Sequence, residues 1–576
     1  MKLMWRYTLR NKKLLFLNFI SVFGFILIEL GLPTLLAKMI DVGVANQDTD
    51  YIKRQGLLMI VITLIGITMH ILLGYFGAKI TTNIVRDIRD DLYQKVQTFS
   101  HQEYDQFGVS SLITRTTNDA YQIMLFMNII LRTGFITPMM FLASMYMVMR
   151  TSPSLSLTVL VSLPVLLVGV VIIARLSDPL SVKQQKNLDR VNGILRENLS
   201  GLRVIRAFVN EHFEEKRFNE VNEDYAASSK KLYKLMATAQ PGFFFFFNVV
   251  MVFIIWFGSI QINNGTLQVG NLIAFIEYIF HVLFSFMLFT TVFMMYPRAN
   301  VSAKRIQEVL EVPIVITENE EGVKETETSG YIEFKNVTFA YPGHSESPVV
   351  RNVSFTASPG ETVAFIGSTG SGKSTLVQLI PRFYDVTEGQ ILIDGIDVRE
   401  YSLETLRNKI GYIPQKALLF TGTIAENLQF GKKEASLADM QHAIEIAQAT
   451  EFIGQKKEGF SERLSEGGAN FSGGQKQRLA IARAVIRHPE IYIFDDSFSA
   501  LDYQTDAALR SALKQDTEQS TVLIVAQRVG TIRDADKIVV LNEGNVVGIG
   551  THSELMKNSS IYHAIAASQL SEEELA

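Results

Sequence analysis

The stretch "FIGSTGSGKST", residues 365–375, decides the fold of the C-terminal half of the chain. It contains the spacing Gly367-x4-Gly372-Lys373-Ser374, follows an apolar run and precedes a helical pattern, which is the strand–loop–helix context of a P-loop. Small residues let backbone N–H groups turn inward around phosphate oxygens at a helix N-terminus. We therefore predict that Lys373 reaches the β- and γ-phosphates of a nucleotide and that Ser374 ligates Mg²⁺.

A second stretch, "IYIFDDSFSALD" at residues 491–502, adds acidic groups to this site. Its four apolar residues are typical of a buried strand and lead directly into Asp495 and Asp496. An aspartate at the end of such a strand is well placed to hold Mg²⁺ directly or through water. The sequence therefore predicts Asp495 as a Mg²⁺ ligand rather than as a solvated acid at the end of a strand.

Composition places the chain between a soluble and a fully membrane-embedded protein. Of its 576 residues, 48% are hydrophobic and 19% are charged, and the mean hydropathy is +0.18. A formal net charge of −4 gives no reason to expect a nucleic-acid partner. The absence of cysteine excludes disulfides, thiolate zinc sites and cysteine-ligated iron–sulfur clusters.

The N-terminal half contains six apolar segments, each near the ~20 residues that cross a bilayer. Lysine and arginine are concentrated before the first segment and in two long stretches between segments, so the positive-inside rule places both termini in the cytoplasm. The apolar run after the basic start is too long for a cleavable signal peptide and is interpreted as a retained anchor. The six segments are 15–37, 56–77, 124–149, 153–175, 242–264 and 271–296.

The two long basic stretches, 78–120 and 176–240, carry apolar residues at helical spacing. We expect the membrane helices to continue through them into the cytoplasm and fold back as hairpins, the alternative being a solvated helical insertion. Residues 311–330 are acidic and Thr-rich, as in a linker. From residue 331 short β-rich runs alternate with helical patterns, which predicts an α/β domain with a largely parallel sheet. The predicted divisions are 1–310, 311–330 and 331–576.

Between the two nucleotide motifs lies "FSGGQKQR", residues 471–478, which resembles the signature motif of ABC-transporter ATPases. With six membrane segments, long cytoplasmic extensions and one C-terminal nucleotide-binding domain, the whole chain resembles a half-transporter of the ABC exporter family. This resemblance implies a six-span α-helical transmembrane domain followed by an α/β P-loop ATPase domain that uses ATP and Mg²⁺. It also implies short coupling helices near 101–108 and 209–216, and an X-loop at "SEGGAN" that lacks the usual arginine.

The resemblance assigns further roles within the nucleotide site. Tyr341 of "FAYPG" would stack on adenine, Gln415 of "YIPQ" would approach Mg²⁺ as the Q-loop glutamine, and Asp502 of "SALD" belongs to the D-loop. The implied Mg²⁺ ligands are therefore Ser374, Gln415 and Asp495. The implied nucleotide-binding residues are Tyr341, Gly367, Ser368, Thr369, Gly370, Ser371, Gly372, Lys373, Ser374, Thr375, Gln415, Ser472, Gly473, Gly474, Gln475, Asp495 and Asp502.

Two positions depart from the pattern of active ABC ATPases. Asp496 stands where a catalytic glutamate polarises the attacking water, and Gln527 of "VAQR" stands where a histidine contacts the γ-phosphate. A carboxylate one methylene shorter falls short by about 1 Å, and misplacement on that scale can cost ~100-fold in rate. Glutamine can hydrogen-bond but cannot carry a positive charge or transfer a proton. We predict a site that binds ATP and hydrolyses it slowly, the alternative being an active ATPase that tolerates aspartate.

The signature motif itself is unimpaired. In the family's dimer each ATP lies between the P-loop of one chain and the signature of the other, so these signature residues would complete a partner's site. The combination resembles the degenerate-site subunit of bacterial heterodimeric multidrug exporters. It implies a non-identical partner half-transporter that carries the glutamate and the histidine, in a bacterial plasma membrane. The signature residues concerned are Ser472, Gly473, Gly474 and Gln475.

The membrane segments are rich in Phe and Met, which suit promiscuous binding of apolar or cationic compounds, although packing and lipid contact explain such residues too. Ionisable residues in a bilayer are costly unless paired or hydrated, which makes them better pointers. We expect them to line the translocation cavity, or else to close the outer gate as a structural pair. Alternatives to a drug exporter are a lipid or peptide exporter and an ATP-gated channel or regulatory subunit. The candidate substrate residues are Glu29, Glu277, His281, Phe284 and Met287.

Overall fold

Contacts within the computed structural model divide the chain into two compact units. The first comprises Met1–Gln97 with Ser110–Val312, and the second comprises Thr98–Val109 with Pro313–Ala576. A twelve-residue segment from the helical half of the sequence therefore groups with the C-terminal part. The divisions at 310 and 330 stay predictions. The structure describes residues 2–319, 321–326, 330–344 and 346–570.

The described residues of the first unit form helices joined by short turns, and six of these helices are long and apolar enough to cross a membrane, as predicted. Three π-helical turns interrupt or extend them, at Met39–Val44, Arg115–Asp119 and Ile130–Gly134. The α-helices of this unit are α1 (Lys2–Arg10), α2 (Lys12–Lys38), α3 (Thr49–Gln97), α5 (Val109–Thr114), α6 (Ala120–Ile129), α7 (Phe135–Thr151), α8 (Pro153–Ala207), α9 (Glu211–Asn263) and α10 (Val269–Glu311), with α4 (His101–Phe107) in the second unit.

Large apolar side chains cover much of the outside of the first unit. Phe16, Leu142 and Trp256 are each more than 60% exposed, which is unfavourable in water and favourable against lipid acyl chains. The interior is a continuous cluster to which α2, α7, α8, α9 and α10 contribute. The apolar pattern therefore encodes a helix bundle that is hydrophobic both inside and on its surface, as membrane spans require.

The predicted continuation of the membrane helices is confirmed. Helix α3 has 49 residues and rises about 73 Å at 1.5 Å per residue, more than twice the ~30 Å of a hydrocarbon core. Helices α8 and α9 are longer still. The expectation of a separate short helix near 209–216 is wrong, because only residues 208–210 separate α8 from α9 and residues 211–216 are the start of α9 itself.

The second unit contains three sheets among its described residues. The six-stranded sheet runs in the order β12-β11-β3-β10-β9-β6 and is parallel except for β12, which confirms the predicted largely parallel sheet. A four-stranded antiparallel sheet runs β2-β1-β4-β5, and β7 pairs with β8. The strands are β1 (Ile332–Phe339), β2 (Val350–Ala357), β3 (Thr362–Gly367), β4 (Glu388–Ile393), β5 (Ile396–Asp397), β6 (Ile410–Ile413), β7 (Gly422–Thr423), β8 (Arg463–Leu464), β9 (Ile491–Asp495), β10 (Thr521–Val525), β11 (Lys537–Asn542) and β12 (Asn545–Gly550).

Alternation along the central strands builds two cores. On β3, Val363 and Phe365 pack with the antiparallel sheet, whereas Ala364 and Ile366 pack with the helices on the opposite face. This is the period of two that a strand buried on both faces requires. The helices are α11 (Lys373–Gln378), α12 (Leu403–Asn408), α13 (Ile424–Gln429), α14 (Leu437–Ile446), α15 (Thr450–Gly454), α16 (Gly473–Val485), α17 (Tyr503–Asp516), α18 (Val529–Ile532), α19 (His552–Asn558) and α20 (Ser560–Ala567), with 3₁₀ turns at Gly459–Ser461 and Glu466–Gly468.

Candidate nucleotide site

The loop between β3 and α11 has the shape expected of a phosphate cradle. Gly367 has φ 159° and Gly372 has φ 94°, and a Cβ atom added to them would lie 2.1 Å from the Leu541 carbonyl oxygen and 2.8 Å from the Val349 carbonyl oxygen. A side chain at either position would therefore collide with backbone. The loop ends at the N-terminus of α11, where backbone N–H groups and the helix dipole favour an anion.

Lys373 is the cation of this loop. Its Nζ donates to the carbonyl oxygens of Gly367 and Ser368 at 2.9 and 2.8 Å and lies 3.4 Å from Ser371 Oγ. Burial lowers the pKa of Lys373, and the negative charges of Asp496 and Asp495 oppose that shift. The amine therefore lies among backbone carbonyls and beside two carboxylates, where a bound phosphate would supply a stronger partner.

Asp495 ends β9 and is buried, and both of its carboxylate oxygens accept hydrogen bonds from hydroxyls. Ser374 Oγ donates to Oδ1 at 2.6 Å, and the Tyr412 hydroxyl donates to Oδ2 at 3.0 Å. Burial and the charge of Asp495 raise the pKa of Tyr412, so this hydroxyl stays protonated and remains a donor. The sequence prediction paired Asp495 with Ser374, whereas Tyr412 was missed because an aromatic residue in a buried strand gives no local sign of a polar role.

Asp496, the next residue, has different partners. Its Oδ2 atom accepts from the side-chain amide of Gln415 at 3.1 Å and from that of Gln527 at 2.8 Å. Burial raises the pKa of Asp496 although both amide bonds oppose the shift. The two residues that depart from the pattern of active ABC ATPases, Asp496 and Gln527, are thus hydrogen-bonded to each other through Asp496 Oδ2.

The remaining predicted groups flank this centre. The Tyr341 hydroxyl lies 3.0 Å from Thr375 Oγ1, directly after the P-loop lysine and serine. The hydrogen bonds of the signature are local: Ser472 caps α16 and exchanges bonds with Gln475 at 3.3 and 3.0 Å. Ser472 and Gly473 are exposed, and Gly474 and Gln475 are half-buried. Asp502 caps α17 by accepting from Thr505 and is exposed, while Thr369 and Gly370 lie on the exposed rim of the P-loop.

Comparison with known proteins matches both halves of the chain. The family described as "ABC transporter transmembrane region" matches residues 15–287, and the family described as "ABC transporter" matches residues 350–499. An uncharacterized ABC transporter ATP-binding protein of Mycobacterium tuberculosis (strain CDC 1551 / Oshkosh) is 40% identical over 94% of both chains. The chain belongs to the ABC transporter family.

Other relatives carry more specific names. A putative multidrug export ATP-binding/permease protein of Bacillus subtilis (strain 168) is 32% identical over 93% of each chain. An ATP-dependent lipid A-core flippase of Syntrophus aciditrophicus (strain SB) is 30% identical over 88% of this chain and 83% of the relative. The structure of a bacterial Atm1-family ABC exporter with ATP bound superimposes with a TM-score of 0.79 at 22% identity, covering 99% of both chains, so the fold is that of an ABC exporter.

The residues of this ABC transporter's P-loop fit ATP with Mg²⁺. Hydroxyl and carboxylate oxygens are the ligands that Mg²⁺ prefers, and Ser374 Oγ and Asp495 Oδ1 already lie 2.6 Å apart. No cluster of three or more His, Asp or Glu that could hold a metal occurs among the described residues. Bound Mg²⁺ would neutralise charge on the phosphates.

Gln569 is a further residue that sequence reasoning missed. Its side-chain amide donates to the carbonyl oxygen of Gln527 at 2.9 Å and accepts from the N–H of Val529 at 2.8 Å. It thereby fixes the backbone on both sides of Arg528, next to the amide that contacts Asp496. The sequence could have revealed this role only through a charged residue or a recognised motif around Gln569. The surrounding "AASQLS" contains neither.

The structure brings only some of the candidate substrate residues together. His281 Nε2 and Glu29 Oε2 are 4.0 Å apart, and Glu29 also lines a cavity of about 380 Å³ between α2 and α3 that includes Phe25 and His70. Glu277 is exposed, one helical turn from His281. Phe284 and Met287 are half-buried against the apolar interior of the bundle, and Phe284 stacks on Phe280 at 5.3 Å between ring centres.

Proposed function

We propose that the chain is one half of a heterodimeric ATP-driven exporter, whose own P-loop site binds Mg-ATP and hydrolyses it slowly. Its place is a bacterial plasma membrane, with both termini in the cytoplasm. The observation that carries the proposal is the double amide contact on Asp496 Oδ2, from Gln415 and Gln527. Hydrolysis needs a carboxylate that positions water, and here that carboxylate is both short and engaged by two donors.

The chemistry of the three side chains supports slow turnover. The Asp496 carboxylate reaches about 1 Å less far than a glutamate would, a misplacement that can cost ~100-fold. Gln527 and Gln415 are neutral amides, which cannot take up or release a proton near neutral pH. The groups for binding, Lys373, Ser374 and Asp495, keep the residue types that phosphate and Mg²⁺ need.

Exposed surfaces support the need for a second half-transporter. At the tip of the α8–α9 hairpin, Phe208 is 72% and Val209 is 80% exposed. On the second unit, Leu418 and Phe430 are 57% and 69% exposed beside the Q-loop segment. Exposed apolar side chains grouped in this way mark interaction surfaces. The exposed signature serine, Ser472, would complete the partner's nucleotide site.

The first experiment uses the purified full chain in lipid nanodiscs. We compare ATP turnover of the wild type with that of the double variant Asp496→Glu, Gln527→His. The restored carboxylate reach and the titratable imidazole should raise turnover about 100-fold. The control is the same double variant with Lys373→Ala, which should remove the gain. Brisk turnover by the wild-type chain alone would overturn the slow-site proposal.

The partner is tested by purification of the intact complex from its native membrane and mass spectrometry of its subunits. We expect a second half-transporter with a glutamate at the position equivalent to Asp496 and a histidine at the position equivalent to Gln527. A complex built from two copies of this chain would contradict the heterodimer.

For the substrate we propose apolar or cationic small molecules, in keeping with the name of the B. subtilis relative. Glu29 supports this, because a carboxylate beside apolar side chains in a 380 Å³ cavity suits an amphipathic cation. In the complex, Glu29→Gln should reduce ATPase stimulation by a cationic drug about tenfold and leave stimulation by a neutral analogue unchanged. Glu277→Gln tests the second candidate carboxylate in the same way, and the neutral analogue is the control for both variants. Equal responses to both drugs, with stimulation by lipid instead, would favour lipid export.

A further inference from the structure

Helix α4 is attached to the rest of the second unit by specific side-chain contacts. The His101 ring stacks on Phe383 with ring centres 4.3 Å apart, and Asp105 Oδ2 accepts from the Tyr384 hydroxyl at 2.9 Å. Glu103, which is buried, accepts from the N–H of Ser100 in the capping box of α4 and from the N–H of Val315 at 3.1 Å. Two consecutive aromatic residues, Phe383 and Tyr384, thus provide much of the surface that holds α4.

Tyr384 continues from α4 to the nucleotide site. It is buried, and its ring lies perpendicular to that of Tyr341 with centres 5.4 Å apart. The Tyr341 hydroxyl in turn contacts Thr375 Oγ1 at 3.0 Å. Burial first and then the hydrogen bond to Asp105 raise the pKa of Tyr384, so its hydroxyl stays a donor at neutral pH. Asp105, Tyr384, Tyr341 and Thr375 therefore form one continuous series of contacts.

We propose that Tyr384 is a positioning residue that links adenine binding at Tyr341 to the attachment of α4 through Asp105. An edge-to-face aromatic pair is sensitive to ring orientation, so a base that fixes the Tyr341 ring also restricts the Tyr384 ring. When the orientation of the Tyr384 ring is restricted, its hydroxyl stays in position to donate to Asp105. Binding linkage is reciprocal, so the attachment of α4 must raise ATP affinity by the same factor by which ATP raises the attachment.

The inference rests on the proposed function in one respect, which is that ATP binds with its base at Tyr341. A slow site suits such a link, because ATP that is retained holds α4 for longer than one turnover. A competing route starts from the same pair of aromatic residues: Phe383 packs edge-on against Tyr412, with ring centres 5.3 Å apart, and Tyr412 donates to Asp495. That route would report on the metal and phosphates rather than on the base.

Amide hydrogen exchange of the purified full chain separates the two routes. The readout is protection of residues 98–109 by Mg-ATP and by Mg-tripolyphosphate, which has the phosphates and lacks the base, each at a saturating concentration. We expect Mg-ATP to slow exchange in this segment about fivefold, at the lower end of typical allosteric coupling. Mg-tripolyphosphate should bind without this protection. Equal protection by both ligands would overturn the route through Tyr341 and Tyr384.

Two variants then test the residue itself. Tyr384→Phe removes only the hydroxyl and Asp105→Ala removes the carboxylate that accepts from it, and each should abolish the ATP-dependent protection and weaken ATP binding by the same factor of about five. The double variant should be no weaker than either single variant. The control is Tyr401→Phe, which removes a fully buried hydroxyl bonded to the Ile393 carbonyl and should keep the protection.

The outcomes distinguish the two proposals. A wild-type chain that does not bind Mg-ATP contradicts the proposed function. A chain that binds Mg-ATP but keeps full protection of residues 98–109 in Tyr384→Phe contradicts the role of Tyr384 alone. Loss of protection in Tyr401→Phe as well as in Tyr384→Phe would reduce Tyr384 to a structural residue and overturn the inference.

Discussion

Asp495 and Asp496 are neighbours at the end of one strand, yet they lie in two chemically different environments. The oxygens of Asp495 accept from hydroxyls, those of Ser374 and Tyr412, whereas one oxygen of Asp496 accepts from two amides. The first environment supplies ligands for a hard metal ion. The second holds a carboxylate whose two side-chain donors are neutral amides, which cannot take part in proton transfer. Under the proposed function, the groups for binding and the groups for chemistry are thus separable within one nucleotide site.

The sharpest test of this comparison replaces each aspartate in turn by its isosteric amide. Asp495→Asn should weaken Mg-dependent ATP binding about 100-fold, because a charged ligand of the metal is lost. Asp496→Asn should change ATP affinity less than about twofold, since its contacts are with protein amides. Calorimetric titration of the full chain with ATP, in Mg²⁺ and in EDTA, measures both effects. Similar losses in the two variants would remove the distinction between the two halves of the site.

The motif-bearing half of the site could be predicted from sequence because its chemistry requires fixed residue types at fixed spacing. Gly367, Gly372 and Lys373 lie in one short segment, where a Cβ atom at either glycine would collide with backbone and Lys373 Nζ donates to the Gly367 carbonyl. The six membrane helices followed equally from composition, because hydrophobic length alone determines whether a helix can span a bilayer. For the P-loop and the membrane helices, the local sequence is therefore enough to predict the structure.

The contacts that support the site could not be predicted in this way. Tyr384 and Asp105 are 279 positions apart in sequence, and Gln569 and Gln527 are 42 apart, so each pair depends on the folded topology. A buried tyrosine is also consistent with simple core packing, which hides its polar function. The same limitation explains the expected helix near 209–216: the family resemblance implied a short helix there by position but did not show that α9 begins at Glu211.

A second prediction concerns the Tyr412 hydroxyl, which is one of the two hydroxyl donors to Asp495. Tyr412→Phe removes one donor from Asp495 and leaves the ring, so Mg-ATP affinity should fall about fivefold, equivalent to about 1 kcal/mol. Affinity for ATP in EDTA should be unchanged. The matched control is again Tyr401→Phe, whose hydroxyl contacts a backbone carbonyl away from the metal position. A loss of ATP affinity that is independent of Mg²⁺ would show that Tyr412 only supports packing.

The smallest expected effect is a difference in pH dependence between two buried carboxylates. Burial raises the pKa of Asp496 above its ordinary value of 3.8, so the stability it contributes is complete below that value and is lost as pH rises through the raised pKa. For Glu103, burial opposes the shift, but hydrogen bonds from Ser100 and Val315 lower the pKa below its ordinary value of 4.5. Its contribution is therefore present above 4.5 and is lost as pH falls through the lowered pKa.

The variants Asp496→Asn and Glu103→Gln should consequently change thermal stability with opposite pH slopes. Relative to the wild type, the melting temperature of Asp496→Asn should rise by about 2 °C between about pH 4 and about pH 7, because the variant no longer bears a buried charge. That of Glu103→Gln should fall over the same range, since the wild type gains its hydrogen-bonded carboxylate. Differential scanning fluorimetry of the full chain across this range measures both. Parallel slopes would mean that burial does not raise the pKa of Asp496. The contrast with Asp495 would then rest on metal binding alone.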